Sequence, residues 1–161
     1  MALSSSRTFS LSSNSSRLKV LDLYSNGLWG DVHELFSELK NVEYLDLSGN
    51  SFFSSLSINR NNLSSLANTL QHMNLSHNNL GGGFFSGDSI QMFQNLQVLD
   101  LGNNGLMGQL PSFGSSPNLK VLRLANNQLY GSVPDELLLG LVPLRNWILM
   151  AMDFQVRCQL L

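Results

Sequence analysis

The sequence has little of two features that would otherwise suggest a function. Only one of the 161 residues is a cysteine, Cys158, so no internal disulfide can form and cysteine usage identifies no redox compartment. Charged residues make up 12% of the chain, against about 25% in a typical soluble domain, and the formal net charge is -2. Because binding to a phosphate backbone depends on excess positive charge, nucleic acid is not an expected partner.

Long hydrophobic runs are also absent from the sequence. The longest apolar stretches, such as residues 137–142, are much shorter than the roughly 20 residues that a membrane-spanning helix needs. Residues 1–17 are rich in serine and contain no continuous apolar core of the kind a signal peptide has, so we expect this segment to be disordered. The sequence therefore predicts one domain with neither a signal peptide nor a membrane contact of its own.

The chain is instead rich in leucine, with 33 residues, and the leucines are regularly spaced. The pattern LxxLxLxxNxL occurs five times in tandem, with conservative replacements at some positions. Its members are Leu18, Leu21, Leu23, Asn26 and Leu28; Val42, Leu45, Leu47, Asn50 and Phe52; Leu70, Met73, Leu75, Asn78 and Leu80; Leu96, Leu99, Leu101, Asn104 and Leu106; and Leu119, Leu122, Leu124, Asn127 and Leu129. Tandem copies of a unit of this length indicate a solenoid.

Each L-x-L segment alternates apolar and polar residues, which predicts a short strand with one buried face. One such unit cannot bury its leucines alone, but stacked units form a parallel sheet over a continuous core. The asparagine of each repeat follows the strand, where the chain turns and backbone groups lose their strand partners. An amide side chain offers both donors and an acceptor, so we expect a structural ladder formed by Asn26, Asn50, Asn78, Asn104 and Asn127.

These repeats resemble the plant-specific class of leucine-rich repeat proteins, whose repeats continue as LxGxIP. The segments LYGSVP at residues 129–134 and LMGQLP at residues 106–111 carry this resemblance, which covers residues 18–143. It implies an α/β fold, a leucine-rich repeat solenoid with a short parallel β-sheet on the concave face. Loops and short 3-10 or second-strand segments are expected on the convex face, with about five repeats and a degenerate sixth.

Residues 144–161 form the degenerate end of the pattern. Leu144, Trp147 and Leu149 keep the repeat spacing, but Met152 stands where the ladder asparagine is due. Back-translation from the last base of the Asn146 codon permits Leu-Asp-Leu-Asn-Gly-Asn-Gly, which is another repeat of the same type. We therefore hypothesise that the residues from about Arg145 onward come from a frameshift, a mis-spliced junction or an error in the gene model, the alternative being a genuine short cap.

Polar positions within the strands are the best candidates for ligand contacts, because they project from the concave face and align across repeats. Tyrosine buries a large area at low entropic cost, which favours Tyr24 and Tyr44 as contacts. Aspartate between two leucines is common in these repeats, and its alternative role is only to keep the sheet soluble. The candidate ligand-binding residues are Asp22, Tyr24, Tyr44, Asp46, His72, Asn74, Asp100 and Arg123.

No catalytic or metal-binding constellation is recognisable in the sequence. His72 and His77 lie in one repeat without a third ligand at usable spacing, so no metal site and no cofactor are expected. Three N-x-[ST] sequons mark Asn14, Asn62 and Asn74 as glycosylation candidates if the parent protein is secreted.

The family resemblance implies a protein- or peptide-binding module from the extracellular region of a plant receptor-like kinase. The expected partners are a protein or peptide ligand and a possible co-receptor. The parent would lie in the plasma membrane and carry a kinase or pseudokinase domain, whereas this chain is not expected to be an enzyme. Two alternatives stay open, a secreted inhibitor of an enzyme built from the same repeats and a truncated product without activity.

Overall fold

The computed structural model describes residues 17–55, 66–82, 84, 92–110, 112–113 and 118–135, together with the backbone of residues 146–148. Residues 1–16, expected to be disordered, lie outside the described residues, and so do the sequons at Asn14 and Asn62 and the tail beyond Ile148.

A six-stranded parallel sheet runs through the described residues, one strand from each repeat. Its strands, in spatial order, are β1 (Val20–Asp22), β3 (Tyr44–Asp46), β5 (His72–Asn74), β6 (Val98–Asp100), β8 (Val121–Arg123) and β10 (Asn146–Ile148). The register pairs equivalent positions without a shift, so that Leu21 faces Leu45 and Leu99 faces Leu122. This confirms the predicted solenoid and its concave-face sheet.

Second-strand segments follow the strands of the main sheet, as the resemblance implied. β2 (Trp29–Asp31) pairs in parallel with β4 (Ser51–Phe53), and β7 (Met107–Gln109) pairs in parallel with β9 (Gln128–Tyr130). In these sheets the register is shifted by two residues relative to the repeat, because Met107 pairs with Gln128 and not with Tyr130. The second sheets are therefore inclined to the stacking direction.

The first repeat contains an α-helix, α1 (Val32–Glu38), which the sequence analysis did not predict. Asp31 caps it, since Oδ1 of Asp31 accepts a hydrogen bond from the backbone N–H of His33 at 2.9 Å. Val32, Leu35 and Phe36 are buried and recur at helical spacing, so the apolar stripe of the helix faces the core.

The core consists of the strand leucines and a group of phenylalanines from the less regular half of the repeats. Leu45, Leu99 and Leu122 are fully buried, whereas Leu21 at the first strand is 8% exposed. Large rings fill the space between the turns where no strand leucine reaches: Phe36, Phe84, Phe93 and Phe113 are all buried. One continuous apolar cluster therefore connects the repeats.

Of the sixth repeat, the structure describes the backbone of β10. Trp147 pairs with Leu122 of β8, so the spacing from Leu144 places Trp147 at the position of a strand leucine. The hypothesis of an altered reading frame concerns how this segment is encoded, and it stays a prediction.

Candidate functional site

The ladder asparagines hold the turns of neighbouring repeats together. The backbone N–H groups of Asn26 and Leu28 donate to Oδ1 of Asn50, each at 3.0 Å. In the other direction, Nδ2 of Asn50 donates to the carbonyl oxygens of Leu23 at 2.8 Å and Leu47 at 2.9 Å. One side chain therefore satisfies backbone groups of two successive repeats, as a turn that leaves the sheet requires.

The same arrangement recurs along the solenoid. Nδ2 of Asn104 donates to the carbonyl oxygen of Leu75 in the preceding repeat at 2.8 Å, and Nδ2 of Asn127 donates to that of Leu101 at 2.9 Å. Asn26 stands at the end of the described ladder and is exposed, and its Nδ2 donates to the carbonyl oxygen of Tyr24 at 3.0 Å. The geometry supports a structural role for this set.

The residue before each ladder asparagine has a left-handed backbone, which the sequence analysis missed. These residues, with φ between 55° and 66°, are Ser25, Gly49, His77, Asn103 and Asn126. Glycine, asparagine and histidine accept this conformation more readily than other residues do, so the types at this position were an available signal. Three of the side chains also form a chain: Asn103 Nδ2 lies 3.3 Å from Nε2 of His77, and Asn126 Nδ2 donates to Oδ1 of Asn103 at 3.0 Å.

All eight predicted ligand-contact residues lie on or directly beside the main sheet. Each aspartate among them accepts the same kind of local hydrogen bond. Oδ1 of Asp22 accepts from the backbone N–H of Tyr24 at 3.0 Å, and Oδ1 of Asp100 accepts from that of Gly102 at 3.1 Å. Asp46 and Asn74 make the same bond two residues on. At this strand position one side-chain oxygen therefore accepts the backbone N–H two residues further on, which gives Asp22, Asp46 and Asp100 a structural role.

Asp46 does not fit its predicted role as an open ligand contact, because its side chain is buried and its oxygens are occupied. Oδ1 accepts from the backbone N–H and the hydroxyl of Ser48, while Nδ2 of Asn74 donates to Oδ2 at 2.9 Å. Glycosylation of Asn74 would also displace this bond, together with the bond that Nδ2 donates to Oγ of Ser48 at 3.2 Å. The arrangement favours Asn74 as a bridge between strands.

Asp100 and Arg123 form a pair at the other end of the sheet. Nη1 of Arg123 lies 3.5 Å from Oδ2 of Asp100, and the side chains are 43% and 17% exposed respectively. The carboxylate of Asp100 is therefore compensated by a cation of the next strand, while part of the guanidinium still faces solvent.

In the described part of the main sheet, the exposed large apolar side chains lie at the first strand. We call this region the N-terminal corner and define it as Val20, Asp22, Tyr24 and Tyr44. Val20 is 60% exposed and Tyr24 is 64% exposed. Tyr44 stacks on His72, with ring centroids 4.3 Å apart and an interplanar angle of 15°. β1 is the first strand in the order of the sheet, so these side chains have a neighbouring strand on one side only.

The electrostatic environment of the stacked pair follows from partial burial and from nearby carboxylates. Burial raises the pKa of Tyr44, and the negative charges of Asp46 and Asp22 raise it further. Burial lowers the pKa of His72, an effect that Arg123 reinforces and the neighbouring carboxylates oppose. Tyr44 thus stays a neutral hydroxyl in a negative potential.

Within the described part of the chain, no group of three or more histidine, cysteine, aspartate or glutamate side chains is arranged to hold a metal ion. The same residues include no helix with the length and apolar character needed to cross a bilayer.

Comparison with known proteins agrees with this architecture. The family model described as Leucine Rich repeats (2 copies) matches residues 94–138, and the model described as Leucine Rich Repeat matches residues 69–91. These segments of the chain are therefore similar to leucine-rich repeats.

Among curated proteins, a protein named "Probable inactive receptor kinase" from Arabidopsis thaliana is 60% identical to this chain over 93 residues. The match takes in 58% of the chain and 9% of that relative, so the chain spans a small part of the relative's length.

Solved structures of plant receptor ectodomains are also similar. The Arabidopsis receptor kinase HAESA, in complex with the peptide hormone IDA and the co-receptor SERK1, matches with 32% identity and a TM-score of 0.72. The ectodomain of GASSHO1/SCHENGEN3 from Arabidopsis thaliana, in complex with CASPARIAN STRIP INTEGRITY FACTOR 2, matches with 32% identity and a TM-score of 0.68. In each case 86% of this chain aligns, with 22% and 16% of the respective receptor chains.

Proposed function

We propose that this chain is a protein- or peptide-binding module from the extracellular region of a plant receptor kinase or inactive receptor kinase. In this proposal the parent lies in the plasma membrane, the leucine-rich repeats face outward, and a co-receptor is a further possible partner. The chain binds and does not catalyse. Support comes from the identity to the inactive receptor kinase and from the likeness to ectodomains solved with peptide ligands.

The observation that carries the proposal is the exposure of the N-terminal corner. The side chains of Tyr24 and Val20 are more than half exposed on the same face as Tyr44, while the strand leucines behind them are buried. Tyrosine combines a large contact area with few rotatable bonds, so two tyrosines at one edge supply binding energy at a low entropic cost.

The proposal is tested by selecting a random peptide library on the whole chain and measuring the affinity of the selected peptides. The corner variant carries Tyr24→Ala and Tyr44→Ala. The matched control carries Met107→Ala and Tyr130→Ala, which remove two exposed side chains, 48% and 54% exposed, from the second sheets.

We expect the corner variant to lose about tenfold or more in affinity, because truncating interface tyrosines commonly costs over 1 kcal/mol each. The control should bind as the original chain does. Peptides that bind both variants equally well would place recognition elsewhere and contradict the proposal.

A further inference from the structure

The N-terminal corner carries a negative charge that its own sheet does not compensate. Asp22 and Asp46 are register partners on adjacent parallel strands, which lie about 4.8 Å apart. Like charges directly opposite one another on a sheet are destabilising. Asparagine makes the same turn bond without a charge at Asn74, so the negative charge of Asp22 is not needed for that bond.

The two carboxylates differ in how they are satisfied. Asp46 is buried and accepts hydrogen bonds on both oxygens from Ser48 and Asn74. Asp22 is exposed, and Oδ1 accepts the backbone N–H of Tyr24. Among the described residues no donor reaches Oδ2 of Asp22, so this oxygen is open to a ligand.

The cation nearest to Asp22 in the sequence is committed to another partner. Nζ of Lys19, the residue before β1, lies 2.7 Å from Oε1 of Glu43 and neutralises that carboxylate. Arg123 is four strands away and pairs with Asp100. Asp100 occupies the same strand position as Asp22 and has a cation beside it, which makes it an internal comparison for the uncompensated Asp22.

Aromatic and apolar groups surround the open carboxylate. The ring of Tyr24 leans over the turn of the next repeat, since a Cβ placed on Gly49 would lie 3.4 Å from Cε2 of Tyr24. Val20 flanks Asp22 on the same strand face, and Tyr44 is the register partner of Val20 on β3. Such a site suits a long side chain that has an apolar stem and a positive head.

We propose that the N-terminal corner binds an arginine or lysine side chain of a peptide or protein ligand. Oδ2 of Asp22 accepts a hydrogen bond from the cationic head, and the rings of Tyr24 and Tyr44 contact its stem and charge. This inference rests on the proposed function and specifies the chemistry that the concave face recognises there. The raised pKa of Tyr44, to which Asp22 and Asp46 contribute after burial, agrees with a negative potential at this site.

The test uses the substitution Asp22→Asn in the whole chain. Asparagine occupies the equivalent position at Asn74 and there accepts the backbone N–H of Ser76 at 3.1 Å, so the turn bond is retained while the charge is lost. Asp31→Asn is the control, because it removes one carboxylate from the second sheet and asparagine also caps a helix. Far-ultraviolet circular dichroism and the urea midpoint verify that both variants are folded.

A random peptide library is selected on the original chain, and single selected peptides are then measured with each variant at low and high salt. We expect selected peptides to be enriched in arginine or lysine. Asp22→Asn should weaken their binding by about five- to tenfold and remove most of the salt dependence, while Asp31→Asn changes neither. Replacing the cationic residue of a peptide by glutamine should produce the same loss.

Two outcomes overturn the inference in different ways. Selected peptides that need Tyr24 and Tyr44 but carry no cation, or that bind equally well to Asp22→Asn, refute the cation and leave the proposed function standing. Peptides that are indifferent to Tyr24 and Tyr44 remove the proposed function, and the inference with it.

Discussion

Replacing Asn104 by alanine tests how much the asparagine ladder contributes to stability. The side chain is 2% exposed, and its Nδ2 lies 2.8 Å from the carbonyl oxygen of Leu75, 3.1 Å from that of Leu101 and 3.2 Å from that of Gly102. Its Oδ1 also accepts from the backbone N–H of Leu80 at 3.4 Å. Alanine provides neither a hydrogen-bond donor nor an acceptor. Because the position is buried, water from the surface does not replace the lost bonds.

Each buried polar group left without a partner costs about 1–3 kcal/mol. The carbonyl oxygens of Leu75 and Leu101 keep the amide donors of Asn78 and Asn127, whereas the backbone N–H of Leu80 loses its acceptor. We therefore expect Asn104→Ala to lower the free energy of unfolding by about 2 kcal/mol. With a urea m-value of about 2 kcal/mol/M, the midpoint falls by about 1 M. The bond to Leu75 also couples two repeats, so the unfolding transition should broaden or divide.

The matched control is Asn26→Ala, which removes an exposed amide that donates to the carbonyl oxygen of Tyr24. Water replaces that bond, so the expected loss is below about 1 kcal/mol. The two variants are compared by urea unfolding. Circular dichroism at 222 nm, which reports on the backbone, follows the transition. Equal losses for Asn104→Ala and Asn26→Ala would show that the ladder contributes through something other than buried hydrogen bonds.

Three further predictions follow from the structure. Burial lowers the pKa of His72 below its usual 6.5, so the unfolded chain binds a proton before the folded chain does as the pH falls. The melting temperature should therefore decrease below about pH 6.5. The His72→Gln variant should lack this part of the pH dependence. Gly49→Ala should cost about 1–2 kcal/mol from its φ of +66° and slightly more from contact with Tyr24, whereas Gly105→Ala, also at φ +66° but with open space around it, reports the backbone strain alone in the same urea assay. Sequencing the transcript across Pro143 should reveal a frameshift, a splice change or a gene-model error before the tail; an intact, unshifted coding frame with no close in-frame relative would contradict that hypothesis.

The periodic features of the fold could be read from the sequence because each repeat places the same residue type in the same environment. Leucine at the strand positions and asparagine at the turn are required by burial and by backbone hydrogen bonding, and neither depends on details of the neighbours. Met73 takes the place of a strand leucine and is also buried, which shows that the position tolerates another flexible apolar side chain.

Features that depend on contacts between different repeats could not be predicted from the repeat pattern. α1 forms because Asp31 caps it and because Val32, Leu35 and Phe36 meet a core supplied by other repeats. The burial of Asp46 depends on Ser48 and Asn74, and the second of these lies 28 residues further along the chain. Pattern alone assigned Asp46 to the same role as Asp22, although the two carboxylates have different surroundings.

The column that begins with Asp22 shows how a repeated fold acquires a local function. Aspartate or asparagine recurs there because one side-chain oxygen accepts the backbone N–H two residues further on. The second oxygen of an aspartate is then available to a donor on the adjacent strand. Arg123 has no acceptor, so it cannot close a turn in this way, and its guanidinium reaches back to Asp100. The repeat therefore fixes the residue type, whereas differences between neighbouring strands decide which carboxylate is buried, which is neutralised and which stays open for a partner.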